Sequence, residues 1–583
     1  MNYLSIWTRA SLWRMRGSGE RVRESVVSGL VRRLVDVAVA RVVPLPPPTS
    51  RYRVVRGVRV PMRDGAELIA DHFEPVTPSA HGTILIRAPY GRGYPLPQFF
   101  AQPYAARGCH VVIQSVRGTS GSAGVFEPGI HETADGTDTI AWLRRQPWFD
   151  GRLATVGASY LGLTLWALMQ DPPPELKAAV ILTGPHDCSA AWATGSFALQ
   201  DSLGWSAGMA RQKDMGPLMK RLRGLLSREA KDDSRTPAVA LDAAGRAVLG
   251  GGAPWYESWL KHPDRDDPYW TARRFTGALD RSEVPVLLIN GWQDAFLEQT
   301  LEQYRRLRER DVDVALTIGP WSHARLLRNG LSTFAPEALE WLTTHLEDGA
   351  PTRRRDRVRV FVGGHGWHSL TDWPPAMPTM TLFFQPGGTL GDEPPPAAAA
   401  PSAFTFDPAD PTPAVGSRMM SSMGDQSDDV ALAERADVLT FTGDPLTEDL
   451  YVIGSPVFEL VHSADNPHVD VFVRLIELDS DGLPTNASDG YRRLPSDGSE
   501  PIAITIELDD MAHCFSAGSR LRVLVAGGCY PRFAVNPGTD EPIATARGFV
   551  PAVHRIHHGE GGVSSLVLPA SDRLPTPASA PKP

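Results

Sequence analysis

Between Thr83 and Ile318 one pattern recurs: a short run of apolar, β-branched residues followed by a polar, helix-prone stretch. The runs are Thr83–Ile86, His110–Gln114, Leu153–Val156, Ala178–Leu182, Val284–Ile289 and Val312–Ile318. Continuous apolar runs suit strands covered on both faces, so the pattern predicts a mostly parallel sheet flanked by helices. Asp138–Arg145, with Ile140, Trp142 and Leu143, predicts one of those helices. Ahead of the repeat, Arg53–Val60 and Glu67–Phe73 flank the turn Arg63-Asp64-Gly65 and predict an antiparallel hairpin.

The alternation stops between Cys188 and Ser282. That stretch has basic helix-prone segments and a tryptophan-rich piece, PWYESWLKHPDRDDPYW. It predicts a helical insertion between two strands, placed to roof a pocket at their C-terminal ends. After Arg355 the texture is short strands between Gly, Pro and Asp turns: 357–362, 380–384, 457–461, 469–478, 502–507 and 521–525. Val469, Val471, Val473 and Leu475 alternate with more polar positions, as in a half-buried strand. These features predict an all-β sandwich or jelly roll. The expected organisation is an N-terminal extension with a Pro-rich linker (1–50), an α/β domain (51–187 and 283–350), a helical cap (188–282), a β domain (355–570) and a disordered tail (571–583).

At 583 residues the chain exceeds one hydrophobic core, which predicts two to four domains. A formal net charge of -9 argues against nucleic acid as a partner. Cys109, Cys188, Cys514 and Cys529 show no CxxC spacing, so neither a disulfide scaffold nor a zinc site is expected, and pairing of Cys514 with Cys529 stays open. No run of eighteen apolar residues suggests a membrane span. The first forty residues carry seven arginines against three acids and read as amphipathic helix. Such an extension packs on the protein itself, on another subunit, or peripherally on an anionic membrane through residues 1–42. The expected location is the cytoplasm.

Ligands of open α/β sheets bind beyond the C-terminal ends of the strands. Three residues placed there form a coherent set. Gly157-Ala158-Ser159-Tyr160-Leu161-Gly162 sets a serine on a strand-to-helix turn. Asn290-Gly291-Trp292-Gln293-Asp294 places a carboxylate able to orient an imidazole or, alone, to cap a helix. Gly319-Pro320-Trp321-Ser322-His323 places a loop histidine able to shuttle a proton. The order Ser159…Asp294…His323 is one used by hydrolytic triads on such sheets. Taken singly, each residue has an ordinary structural reading.

RAPYGRG (Arg87–Gly93), DTIAWLRRQPWFDG (Asp138–Gly151), GASYLG, NGWQDAF (Asn290–Phe296), GPWSHA (Gly319–Ala324) and SRLRVLVAGGCYPRFAVNP (Ser519–Pro537) together resemble the cocaine esterase and X-prolyl dipeptidyl-peptidase-like hydrolases, the CocE/NonD family. The resemblance spans about residues 52 to 568 and implies an α/β-hydrolase catalytic domain with a helical cap insertion and a C-terminal jelly roll. It implies a Ser159–His323–Asp294 triad and an oxyanion hole made by the Tyr90 hydroxyl and the Tyr160 backbone N–H. It implies no cofactor. The chain departs from the family where D-x-R-G is usual: here stands Ser115-Val116-Arg117-Gly118, which removes the acid beside Arg117.

Trp166, Trp292 and Phe296 adjoin this set and are candidates for an acyl or alcohol pocket, while Trp255, Trp259 and Trp270 are expected in the cap core. His554, His557, His558 and Glu560 resemble a metal cluster but fall on a predicted turn and strand, so no metal is expected. The expected activity is cleavage of a small carboxylic ester. The alternatives are a dipeptidyl-peptidase or amidase on the same triad, acting on a short peptide or amide, and a non-catalytic binding protein. Asp264, Asp266 and Asp267 are among the acids available to hold a free amine.

Overall fold

The computed structural model describes residues 43–76, 81–93, 95–214, 240–347, 356–420, 429–495 and 500–575. The extension expected over residues 1–42 lies outside them, as does the helix-prone stretch 215–239. None of the described helices is long and apolar enough to cross a membrane.

A ten-stranded sheet runs in the order β1-β2-β4-β3-β5-β6-β7-β8-β9-β10. Its strands are β1 (Tyr52–Pro61), β2 (Glu67–Pro75), β3 (Thr83–Ala88), β4 (His110–Ser115), β5 (Leu153–Ala158), β6 (Leu176–Leu182), β7 (Val286–Gln293), β8 (Val314–Ser322), β9 (Val358–Val362) and β10 (Gly366–Leu370). From β4 to β9 all pairings are parallel, and the β1–β2 and β9–β10 hairpins close the two edges antiparallel. The apolar runs are continuous because successive residues feed opposite cores. Leu85, Ala179, Ile181, Leu288 and Leu316 join one cluster; Ile84, Ile86, Val180, Leu287 and Ile289 join the other. Helices cover both faces, including Tyr160–Leu168 and Leu331–Leu346.

Between β6 and β7 the chain makes the predicted excursion. It includes the helices Leu199–Asp214, Leu241–Leu249 and Trp255–Lys261. Trp255, Trp259 and Trp270 are buried there, with Trp259 also reaching a cavity described below. The sheet stays continuous across the excursion, because Ala179 to Leu182 pair directly with Val286 to Ile289.

The second sheet has thirteen strands, beginning at Thr379–Gln385 and ending at Ser565–Ser571, around its own apolar cluster. Two sequence expectations need correction. The strand expected at 357–362, as the first of the all-β region, instead extends the first sheet, with Leu316 opposite Val358 and Ile318 opposite Val360. Its V-R-V-F-V alternation says that one face is buried, not which sheet it joins. Of the tail expected to be disordered over 571–583, residues 571–575 are attached, with the Pro575 carbonyl accepting a bond from His368 Nε2 and Leu574 packing on the first core, and 576–583 lie outside the described residues.

Candidate active site

Strand β5 delivers Ser159 at its C-terminal end, and the helix Tyr160–Leu168 begins at the next residue. Ser159 is held at φ 57°, ψ −126°. Such a conformation costs a non-glycine residue on the order of 1–3 kcal/mol and turns the hydroxyl out of the sheet edge. Two glycines permit the turn. A Cβ on Gly157 would lie 2.6 Å from Leu161 Cβ, and one on Gly162 would lie 2.6 Å from Gly184 Cα at the end of the neighbouring strand. Glycine therefore stands three residues after the serine because the helix crosses Gly184 there.

His323 lies between the other two members of the set. Its Nε2 is 3.1 Å from Ser159 Oγ, and its Nδ1 is 2.7 Å from Asp294 Oδ2. With Nδ1–H donated to Asp294, Nε2 is left to accept the Ser159 hydroxyl. His323 opens the short helix His323–Asn329 instead of lying in a loop, and Ser322 ends β8. Asp294 is fully buried; its Oδ1 accepts the Phe296 N–H at 2.7 Å in the turn before the helix Leu297–Glu309, whose N-cap is Phe296 and not Asp294. Burial works against the charged imidazolium, but the charge and hydrogen bond of Asp294, aided by the charge of Asp201, hold the His323 pKa above its ordinary value.

Tyr90 follows β3 on the same edge. Its hydroxyl accepts the indole N–H of Trp205 at 3.1 Å, with Ser159 and the Tyr160 backbone N–H as its electrostatic partners on the other side. Although 39% of the residue's surface is exposed, the hydroxyl end is enclosed, and its burial raises the pKa against the pull of those three partners. Tyr160 is anchored from behind. Its hydroxyl donates to Glu132 Oε1 at 2.9 Å and accepts the Gly129 N–H at 3.0 Å, and Glu132 pairs with buried Arg87 at 3.0 Å.

An open cavity of about 150 Å³ begins at Ser159 and Tyr160 and is walled by Leu163, Asp201, Trp205, Trp259, Phe296 and Met420. Of the three aromatic candidates only Phe296 lines it, meeting the His323 ring edge-on at 5.5 Å. Trp166 lies two helical turns below Ser159, fully buried, with its N–H on the Gly184 carbonyl at 3.4 Å. Trp292 points toward β9, donating to the Phe361 carbonyl at 2.6 Å and packing on Trp373. Nearness in sequence to Ser159 and Asp294 did not carry those rings to the cavity, because helix and strand periodicity turned them into the core.

Asp201 and Trp205 were not foreseen. They stand four residues apart on the helix Leu199–Asp214, hence on one face. That spacing was readable, but nothing in the sequence tells which face of an inserted helix looks at Ser159. Asp201 accepts the Met420 N–H at 2.7 Å. Burial pushes its pKa up to about 6, against the pull of that N–H and of His323.

The arginine that lost its acid at position 115 is paired elsewhere: Arg117 binds Asp135 at 2.6 Å and Asp64 at 2.7 Å, while Ser115 Oγ accepts from Arg92. The histidine-rich segment is structural. His554 bonds His462 at 3.0 Å, His557 bonds Ser463 at 2.9 Å and His558 bonds Ser402 at 2.8 Å. No metal-ligating cluster occurs among the described residues. All four cysteines are free, which answers the pairing left open for Cys514 and Cys529.

Comparison with known proteins agrees with the fold. Residues 64–325 match the X-Pro dipeptidyl-peptidase S15 family, and residues 352–567 match the X-Pro dipeptidyl-peptidase C-terminal non-catalytic domain. The fold and these two matches define a hydrolase with a catalytic α/β part and a sheet-rich C-terminal part. The cocaine esterase of Rhodococcus sp. (strain MB1 Bresler) is 29% identical, over 90% of this chain and all of its own length. An aminopeptidase structure from a marine sediment archaeon, Thaumarchaeota archaeon, superposes with TM-score 0.76 at 23% identity, covering 94% of this chain and 98% of that one. An α-amino acid ester hydrolase structure gives 0.75 at 24%, covering 89% and 97%. Within that class, the chain belongs to the cocaine esterase and X-prolyl dipeptidyl-peptidase-like (CocE/NonD) family.

Proposed function

We propose that this protein is a serine hydrolase with an α/β-hydrolase catalytic domain and a C-terminal jelly roll, cleaving small carboxylic esters by two-step acyl transfer. The observation that carries the reading is His323 bridging Ser159 and Asp294 at hydrogen-bond distances from both. Ser159 Oγ attacks the ester carbonyl as its proton passes to His323 Nε2, and Asp294 stabilises the imidazolium. The carbonyl oxygen, now anionic, lies between the Tyr90 hydroxyl and the Tyr160 N–H, where each donor is worth roughly 3 kcal/mol. His323 returns the proton to the departing alcohol. Water, activated by the same imidazole, then releases the acid and frees Ser159.

The cavity wall supports a small, mostly apolar acyl or alcohol group against Phe296, Leu163 and Trp259. The test is p-nitrophenyl ester hydrolysis by wild type and Ser159→Ala. A burst in the wild type that is absent in the variant is expected. Equal hydrolysis by both would sink the reading.

One observation favours a second reading, a substrate with a free amino terminus. Asp201 presents a carboxylate in the cavity wall, where an ammonium would pair with it and hold it ionised. The acids named in the insertion do not serve: Asp267 caps a turn and bonds His262, and Asp264 bonds the Asp266 N–H. A preference for alanine esters or Ala-Pro-anilide over acetyl esters, lost in Asp201→Asn, is the expected signature of this reading. No difference between the substrates would exclude it.

A further inference from the structure

The insertion holds several tryptophans, and where each indole N–H goes is informative. Trp192 donates to the Trp259 carbonyl, Trp255 to Ser206 Oγ and Trp270 to the His262 carbonyl, all inside the insertion. Trp205 alone among these sends its N–H out of the insertion, to the Tyr90 hydroxyl at 3.1 Å on the catalytic edge. Its ring is fixed on both faces: it stacks on the Tyr160 ring at 5.7 Å and 12°, and on Trp259 at 6.0 Å and 13°. Trp205 thus touches both residues to which the oxyanion hole has been assigned, through the hydroxyl of one and the ring of the other.

A phenol hydroxyl has one hydrogen and two lone pairs, whereas an indole N–H only donates. With the Trp205 N–H directed at the Tyr90 oxygen, the phenolic hydrogen cannot turn toward the indole. It is left for the side facing Ser159, where negative charge develops on the substrate. Accepting a bond also polarises the O–H and strengthens what it donates. We propose that Trp205 is a positioning residue for the reaction: its indole N–H orients and polarises the Tyr90 hydroxyl, so that the inserted helix sets one donor of the oxyanion hole.

This inference rests on the acyl-transfer reading, so its test must separate the two. The acylation rate constant and the apparent substrate affinity for p-nitrophenyl acetate are measured in the full chain, from burst kinetics. The set comprises wild type, Tyr90→Phe, Trp205→Phe and the double variant. Trp205→Phe is expected to slow acylation about five- to tenfold, the size of one lost hydrogen bond, with affinity little changed. In the Tyr90→Phe background the same change is expected to cost less than about twofold, because the group it acts through is gone. Equal slowing in both backgrounds, or a loss confined to affinity, overturns the proposal and leaves Trp205 a cavity wall. No effect of Tyr90→Phe would instead overturn the oxyanion assignment beneath it. Should Trp205→Phe fold poorly, 3-benzothienylalanine at position 205 keeps the bicyclic stack and removes only the N–H. The same slowing is expected, and an unchanged acylation rate would overturn the proposal.

Discussion

His323 beside Ser159 and His462 with His554 in the C-terminal sheet are all enclosed by protein, yet their pKa values move in opposite directions. His323 faces the buried carboxylate of Asp294, and its pKa rises. His462 and His554 face each other, 3.0 Å apart, and burial lowers both, His462 to about 4. Burial lowers all three, and only the carboxylate partner of His323 reverses the sign. The two regions therefore respond differently to acid. Below pH 6.5 the unfolded chain protonates His462 and His554 while the folded chain resists, so these residues withdraw stability as pH falls toward 4, by up to about 1.4 kcal/mol per unit each. The raised pKa of His323 contributes stability that is present below pH 6.5 and is lost as pH rises through its folded value.

The sharpest break is to take away the partner that decides the sign. Asp294→Asn turns His323 into a histidine without a countercharge, and kcat/KM for an ester is expected to fall by about 10⁴. The acid limb of the pH–rate profile, which should lie above 6.5 in the wild type, is expected to move down. Unaltered position of that limb would mean that Asp294 does not set the His323 pKa.

A second break lies in the C-terminal sheet, where Arg474 is fully buried between Asp489 at 2.7 Å and Asp429 at 2.5 Å. Arg474→Met removes the cation shared by two buried carboxylates, and urea unfolding should show a loss of about 3–5 kcal/mol. The double change His462→Leu with His554→Leu sharpens the comparison from the other side. Removing both partners together is expected to leave stability near pH 8 within about 1 kcal/mol and to flatten the decline between pH 6.5 and 4. An unchanged decline would assign it to other buried histidines, such as His72, which burial also lowers to about 4. The smallest effect is expected at the surface, where Arg144→Ala breaks a bidentate pair with Glu175 and should cost less than about 1 kcal/mol.

The same contrast between strand ends and the insertion governs how much could be read from the sequence. Ser159, Asp294 and His323 were placed by apolar runs whose C-terminal ends share one edge of a parallel sheet, while Tyr90 came from the family resemblance. A sheet converts distant sequence positions into neighbours by rule. Asp201 and Trp205 lie on an inserted helix whose orientation comes from packing against Tyr160 and Trp259, and no periodicity encodes that. Trp166, for which core packing was as good a reading, and Trp292 missed the cavity because helix and strand periodicity turns them inward. The strand Val358–Val362 has a legible alternation, but its pairing with β8 is a tertiary choice that five residues do not specify.

The direct pairing of β6 with β7 has a consequence for how such a protein can diversify. To the sheet, everything between Thr183 and Pro285 is a single loop, and doubling the length of a loop costs only about 0.6 kcal/mol in closure entropy. Lineages can therefore lengthen, shorten or exchange that loop, and with it the walls of the cavity, without renegotiating the fold beneath.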